Sequence, residues 1–289
     1  MPARQPHHRA RFVASALVVA ALVAACGSSG SDASTTTAST AAVTSSTTAA
    51  ATTTTTAPHP LRVLVTNDDG VTAPGIDAVV NGLKALPDTT VTVVAPLSNQ
   101  SGTGGKTTPG ALTIADAKTA SGYAAKAVTG FPADTIRAAL DDLHLTPDLV
   151  VSGINIGQNL GPVADDSGTV GAARAAAARG IPAIAASQGL GKKGFDFPSG
   201  TTYVLDWVRQ HRAAILAGTA PKVVANMNIP SCPVGKIRGL LEEPAPALPV
   251  TGALTFQDCT ATGSGYTTDV QAFNAGYVTL TEPLRPAGA

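Results

Sequence analysis

The sequence predicts a doubly wound α/β fold built on a mostly parallel sheet. Short, nearly continuous apolar runs recur along the chain, as strands buried on both faces require. Segments with helical apolar spacing separate those runs. Polar clusters begin where the apolar runs end, and open α/β sheets bind ligands beyond the carboxyl ends of their strands.

The first run, "LRVLVT" at residues 61 to 66, leads directly into Asn67, Asp68, Asp69 and Gly70. In "GIDAVVNGLKAL", Ile76, Val79, Val80, Leu83 and Leu86 fall on one helical face. "TVTVVAP" at 90–96 reads as a second strand, and "PADTIRAALDDL" at 132–143 as a helix with Pro132 at its first position. "PDLVVSG" at 147–153 is a third strand, and "GTVGAARAAAARG" at 168–180 a helix closed by glycine. "IPAIAAS" at 181–187 is a fourth strand, followed by a longer helix over about 201–217. Beyond 222, "KVVANMNIP" and "GYVTLTEPL" read as strands that extend the sheet rather than build a second domain.

The chain has 289 residues, 44% of them hydrophobic, so the part after residue 60 can enclose a sizeable core. The first sixty residues read differently. Arg4, Arg9 and Arg11 precede an apolar run over 13–25, too short for a permanent membrane span. The run ends in "LVAAC", so residues 1–25 are expected to be a secretion signal. The ending resembles the lipobox of bacterial lipoproteins, which implies lipid on Cys26 and an exported, membrane-anchored protein. An ordinary signal followed by a chance cysteine is the alternative. Residues 26–60 are rich in Ser, Thr and Ala without apolar period, and are expected to form a flexible stalk.

The net charge is zero, with nineteen basic and nineteen acidic residues; removing the three signal arginines leaves sixteen basic residues and a net −3. No nucleic-acid polymer is expected as a partner. With Cys26 carrying lipid, Cys232 and Cys259 remain. Export makes a disulfide between them plausible, stabilising by about 3 kcal/mol in the chain-entropy model. Two separate buried thiols are the alternative.

Asp68 and Asp69 form the most informative pair. Asp-Gly is a frequent turn dipeptide. Two adjacent acids after a buried strand, however, suit a hard divalent cation, Mg²⁺ or Mn²⁺, with neutral oxygens available from Ser101 and Asn155. Ser167, Gly168 and Thr169 open an Ala-rich helix, whose free N–H groups and positive end suit a phosphate. Ser167 is equally an ordinary N-cap. Asp165 and Asp166 read as loop acids. Helix-start chemistry accounts for Pro132 and Asp134, and Arg137 fits either a phosphate or the surface.

Several familiar patterns fail on spacing. "SGTGGKTT" lacks a P-loop's first glycine, because Gln100 stands five residues before Gly105. An aspartyl-phosphate start needs its two acids one residue apart, whereas Asp68 and Asp69 are adjacent. His7 and His8 leave with the signal, His59 belongs to the stalk, and His144 and His211 read as solvent-facing. The cysteines are too few for a zinc site.

Taken in order, "RVLVTNDDGVTAPGI", "VVAPLSNQSG", "GFPADT", "PDLVVSGINIGQNLG", "SGTVGAA", "NMNIP" and "TDVQAFNAGYVTLTEPL" resemble the SurE family of metal-dependent survival-protein nucleotidases. The resemblance spans nearly all of residues 61–284. It implies a Rossmann-like α/β domain with a C-terminal extension used in oligomerisation, and hence a homo-oligomer. It also implies hydrolysis of phosphate monoesters, typically nucleoside 5′- and 3′-monophosphates, with a divalent metal. By motif the metal ligands fall on Asp68, Asp69, Ser101 and Asn155; either Asp68 or Asp69 is expected to take the proton of the attacking water as well. Ser167 and Thr169, flanking Gly168, match phosphate-contacting positions, and Asn67 and Asn159 match positions that orient ligands.

Leu97, Gln100 and Lys106 depart from the family pattern, and "GKIRGLLEEPAPALPVTG" replaces its basic stretch after "NMNIP". These departures bear on the oligomer and on base specificity, and are expected to leave the metal site untouched. They also motivate a reading from another class, a non-catalytic extracellular lipoprotein that binds a metal and a phosphate ligand.

Overall fold

A computed structural model describes residues 59–191 and 193–284. The expected signal over 1–25, the lipidation site Cys26 and the stalk up to residue 58 lie outside the described residues. Among the described residues no helix is long and apolar enough to cross a membrane.

The elements run β1 (Leu61–Thr66), α1 (Pro74–Lys84), β2 (Thr89–Pro96), β3 (Thr113–Lys118), β4 (Ala124–Thr129), α2 (Pro132–Arg137), β5 (Leu149–Ile156), α3 (Gly168–Ala178), β6 (Ala183–Gln188), α4 (Phe197–Leu216), β7 (Val224–Ile229), β8 (Leu240–Glu242), α5 (Asp269–Asn274) and β9 (Val278–Thr281). They build one nine-stranded sheet in the order β3-β4-β2-β1-β5-β6-β7-β9-β8. From β4 to β7 every neighbouring pair is parallel; β3 and β9 run antiparallel to β4 and β7.

The central strands are apolar because both faces are covered. Leu61, Val63 and Val65 face a core that includes Ile76, Val79 and Val80 of α1 and Val204 and Val208 of α4. Leu64 and Val150 face the opposite core with Ile136 of α2 and Val170 and Ala173 of α3. After β1 the chain adds β2, β4 and β3 on one side, then returns to place β5 on the other side of β1. The strand order therefore reverses at β1 and β5, and their carboxyl ends frame a crevice.

The structure departs from the sequence expectations in local ways. The hairpin β3–β4 was not foreseen: "TIADAK" and "AAKAVT" lie at the sheet edge, where one exposed face removes the need for an apolar run. The helix expected over 132–143 is α-helical only to Arg137 and continues as a π-helical turn, Ala138–Asp142. Helix α4 begins earlier than expected, at Phe197, where the Asp196 side chain accepts the Ser199 N–H at 3.3 Å. His211 is half-buried rather than solvent-facing, its ring stacked on Trp207 at 4.1 Å. Cys232 and Cys259 stand with Cα atoms 5.7 Å apart, a separation that a disulfide spans.

Glycines permit two close approaches that seat the loops. A Cβ on Gly75 of α1 would lie 1.8 Å from the Ile154 carbonyl oxygen of β5. A Cβ on Gly171 of α3 would lie 2.0 Å from the Gly104 carbonyl oxygen, so the loop after β2 rests on bare helix backbone. Helix propensity alone would make Gly171→Ala stabilising by about 1 kcal/mol. The contact with Gly104 reverses the sign, and thermal melts should show a loss of about 1–3 kcal/mol. A raised melting temperature would mean that the loop does not sit on α3.

Candidate active site at the carboxyl ends of β1 and β5

Strand β1 delivers Asn67, Asp68 and Asp69 into the crevice through a stapled turn. Asn67 is fully buried; its Nδ2 donates to the Gly70 carbonyl at 2.8 Å and its Oδ1 accepts the Gly70 N–H at 3.3 Å. Gly70 adopts φ +104°, a conformation that glycine permits at low cost. With Asn67 occupied in this way, it shapes the turn and leaves the two aspartates to face the site.

Asp68 is only 2% exposed. Its Oδ1 accepts the Thr169 hydroxyl at 2.5 Å, and its carbonyl accepts the Gln100 N–H at 2.7 Å. Asp69 is half-buried; its Oδ2 accepts the Ile156 N–H at 2.9 Å and its Oδ1 the Asn99 amide at 3.3 Å. The pair thus ties together the ends of β1, β2 and β5 and the start of α3.

The loop after β2 carries Ser101, an exposed residue. Asn99 accepts the Ser101 N–H at 2.9 Å, and Gly104 N–H donates to the Asp166 carbonyl at 2.9 Å. The far end of the loop is anchored by Asp134, which is fully buried. Asp134 accepts the Thr108 N–H at 3.0 Å, the Thr108 hydroxyl at 2.7 Å and the Phe131 N–H at 2.9 Å. Arg137 donates to the Thr108 and Gly110 carbonyls at 3.0 and 2.8 Å. Asp134, which helix-start chemistry seemed sufficient to explain, and Arg137, read as either phosphate-contacting or superficial, are therefore loop anchors.

On β5 the register with β6 shifts between Ser152 and Asn155. Gly153, at φ +127°, sits where a Cβ would lie 2.2 Å from the Ala186 carbonyl oxygen. This irregularity turns the chain so that Ile156 offers its N–H to Asp69. Asn155 Nδ2 donates to the Gly157 carbonyl at 2.7 Å, which leaves its amide oxygen as the group available to a cation.

Helix α3 points its N-terminus at Asp68. Ser167 caps it, accepting the Val170 N–H at 3.2 Å. A Cβ on Gly168 would lie 2.8 Å from Asp68 Cβ. The Thr169 hydroxyl, expected from sequence to meet a phosphate, is given to Asp68 instead. The positive end of the helix therefore steadies a carboxylate of the chain itself. Gly168 and Ser167 are the members of the trio that remain for a phosphate.

Burial pushes the Asp68 carboxyl above its ordinary range, against the hydroxyl and main-chain N–H of Thr169. Burial, and then the charge of Asp68, push Asp69 up to about 6, with the Ile156 N–H pulling it back. Among the described residues no Lys, Arg or His forms an ion pair with either acid. Nor do three or more His, Cys, Asp and Glu side chains gather anywhere among the described residues. A cation here would rest on two carboxylates completed by neutral oxygens. That all-oxygen donor set, with two buried acids lacking a counter-charge, fits a hard divalent ion.

Asp68, Asp69, Asn155 and the start of α3 thus converge, and the Ser101 loop is bonded to both aspartates through Asn99 and Gln100. Asn159 is turned into the fold, bonded to Ser187, Asn226 and Asn228. The sequence reading passed over Asn99 and the Ile156 N–H. Asn99 carried a usable signal, since Asn commonly binds the backbone two residues on; the N–H of an apolar residue carried none. The C-terminal extension also braces the segment that follows Asn155. Gln158 donates to the Thr255 carbonyl at 2.9 Å, and Asp269 accepts the Gly161 N–H at 2.8 Å.

The family model "Survival protein SurE" matches residues 63–243. A "5'-nucleotidase SurE" of Pelobacter propionicus is 38% identical over 180 residues, covering 62% of this chain and 69% of the relative. One from Halobacterium salinarum is 49% identical over 138 residues, covering 47% of this chain and half of the relative. The crystal structure of the SurE protein from Aquifex aeolicus superposes with a TM-score of 0.61 at 29% identity, covering 76% of this chain and 92% of that one. The chain belongs to the SurE survival-protein family.

Proposed function

We propose that the protein is a metal-dependent phosphomonoester hydrolase acting on nucleoside monophosphates, a 5′-nucleotidase. One observation carries the reading: Asp68 and Asp69 are adjacent, largely buried and without a basic partner among the described residues, at the switch point of an α/β sheet. The nucleotidase names borne by relatives over the same region support turnover rather than the non-catalytic binding reading.

Asp68, Asp69, Asn155 and Ser101 would hold a divalent cation, Mg²⁺ or Mn²⁺. When bound, such an ion polarises phosphoryl oxygens and lowers the pKa of water. The residues of the chain do the rest. Thr169 and the N-terminus of α3 fix Asp68 in one orientation. The Ile156 N–H and Asn99 do the same for Asp69. Asp69 is the more exposed carboxylate, so the attacking water gives its proton there. Gly168 N–H and the Ser167 hydroxyl face the charge that grows on the equatorial phosphoryl oxygens.

The N-terminal lipobox-like ending supports an exported, lipid-anchored protein with extracytoplasmic nucleotides as substrate. The juxtaposition of Cys232 and Cys259 supports a disulfide formed in that oxidising compartment.

Release of inorganic phosphate from AMP and from an aryl phosphate, with Mg²⁺ or Mn²⁺ against EDTA, tests the activity. No release from any monoester refutes it. Asp68→Asn should lower turnover by more than about a hundredfold, since losing even an outer partner of a metal ligand costs 10–100-fold. The same variant should melt higher than wild type once both are stripped by chelator, because it removes a buried charge that has no basic counter-charge among the described residues.

The raised pKa of Asp69 sets the direction of a pH effect. Its carboxyl binds a proton more tightly folded than unfolded, so its contribution to stability is fully present below about pH 4 and is lost as pH rises from about 4 to about 6. Denaturant titrations of chelator-stripped protein should show this fall, and Asp69→Asn should flatten it. For localisation, Cys26→Ala should move the protein from the membrane fraction of a bacterial expression host to a soluble or unprocessed form. Unchanged membrane association would remove the lipid anchor.

A further inference from the structure

The motif "NMNIP" forms β7, and the mechanism above makes no use of it. Asn226 and Asn228 are each 1% exposed and, being two residues apart on one strand, face the same side of the sheet. Their amides close on the main chain of a single residue, Asn159. Asn228 Oδ1 accepts the Asn159 N–H at 2.7 Å, and Asn228 Nδ2 donates to the Asn159 carbonyl at 3.2 Å. Asn226 Nδ2 donates to the same carbonyl at 2.9 Å, while Asn159 Nδ2 donates to Ser187 Oγ at 2.9 Å.

The sheet register explains why these residues meet. Asn155 of β5 pairs with Ser187 of β6, and Ser187 pairs with Asn228 of β7. Asn155 and Asn228 thus flank one residue across three strands. Four positions after Asn155 the chain folds back over this row and delivers the Asn159 peptide onto Asn228. A primary amide is suited to the task because it carries a donor and an acceptor in one plane, as a strand edge does. Strand β7 itself does not need these side chains, since it is paired on both sides by β6 and β9. An apolar residue would fill the space without the cost of burying an amide.

We infer that Asn228 is a positioning residue for the candidate metal site: by gripping the Asn159 peptide it fixes the 155–161 segment, and with it the Asn155 amide and the Ile156 N–H that holds Asp69. Asn226 is the weaker half of the same grip. At its near end the segment is tied to Asp69 through Ile156; farther on, Asn159 is held by β7, beside the bonds of Gly157 to Gln188, Gln158 to Thr255 and Gly161 to Asp269. Asn159 is the residue of this segment that three side-chain bonds from β7 grip, so losing the grip loosens the position of Asn155 and Ile156 relative to the acids, although neither is hydrogen-bonded to Asn228.

This inference rests on the cation reading of the site, and calorimetric titration of chelator-stripped protein with Mn²⁺ separates the two. Asn228→Ala should weaken Mn²⁺ uptake about 10–100-fold, the range for partners that orient metal ligands. Asn226→Ala, which removes one of the three bonds, should weaken it less. Asn228→Asp keeps the acceptor for the Asn159 N–H but loses the donor, and should not rescue. Amide exchange should accelerate within 156–161 while β1 and β6 keep wild-type protection.

Mn²⁺ affinity within about twofold of wild type in a folded Asn228→Ala protein would overturn the inference and leave a purely structural role. Should that variant fail to fold, Asn226→Ala carries the same readouts. Wild-type protein that takes up no Mn²⁺ would instead overturn the functional reading on which the inference stands.

Discussion

Two carboxylates side by side at the end of a buried strand repel each other and resist desolvation, and the surrounding structure is organised around that conflict. Asp68 is almost inaccessible and Asp69 half-buried, yet no basic side chain among the described residues pairs with either. Compensation comes from dipoles instead. The N-terminus of α3 and the Thr169 hydroxyl serve Asp68, and the Ile156 N–H serves Asp69. Neutral dipoles hold the acids in place without discharging them, which preserves the site's demand for an external cation.

Keeping four chain segments around so small a volume requires backbones to approach closely. Gly168 lets α3 abut Asp68, and Gly171 lets the Ser101 loop lie on α3. The loops themselves are not left to local preference. The Ser101 loop is anchored through Thr108 to the buried Asp134. The Asn155 segment is bonded to β7, to the 252–258 region and to α5. These anchors lie far along the chain, so the site is rigid only once the whole sheet and the C-terminal extension have assembled. The extension thereby helps to seat the segment that follows Asn155, through Gln158 and Gly161.

Much of this was legible before any coordinates. Apolar runs buried on both faces announced the central strands, and the motifs from "NDDG" to "SGINIGQN" marked the rim. The hairpin β3–β4 was illegible because an edge strand can be built from Ala, Lys, Asp and Thr. The role of Thr169 was legible only in part: its position at a helix start pointed to an anion, but whether that anion belonged to a ligand or to the chain depends on how α3 docks. The Asp134 carboxylate looked like a helix-start residue because its partner Thr108 lies 26 residues away.

What the sequence by itself determined was the periodicity of burial, the identity of the chemically capable side chains and their placement after strands, since these follow from short-range spacing. Tertiary structure alone decided which polar atoms face one another: that Asp68 meets a helix start, that Asn159 is held from β7, and that the C-terminal extension bonds to Gln158 and Gly161. Such pairings arise from strand order and register, which bring together residues up to about a hundred positions apart, and no local pattern encodes them.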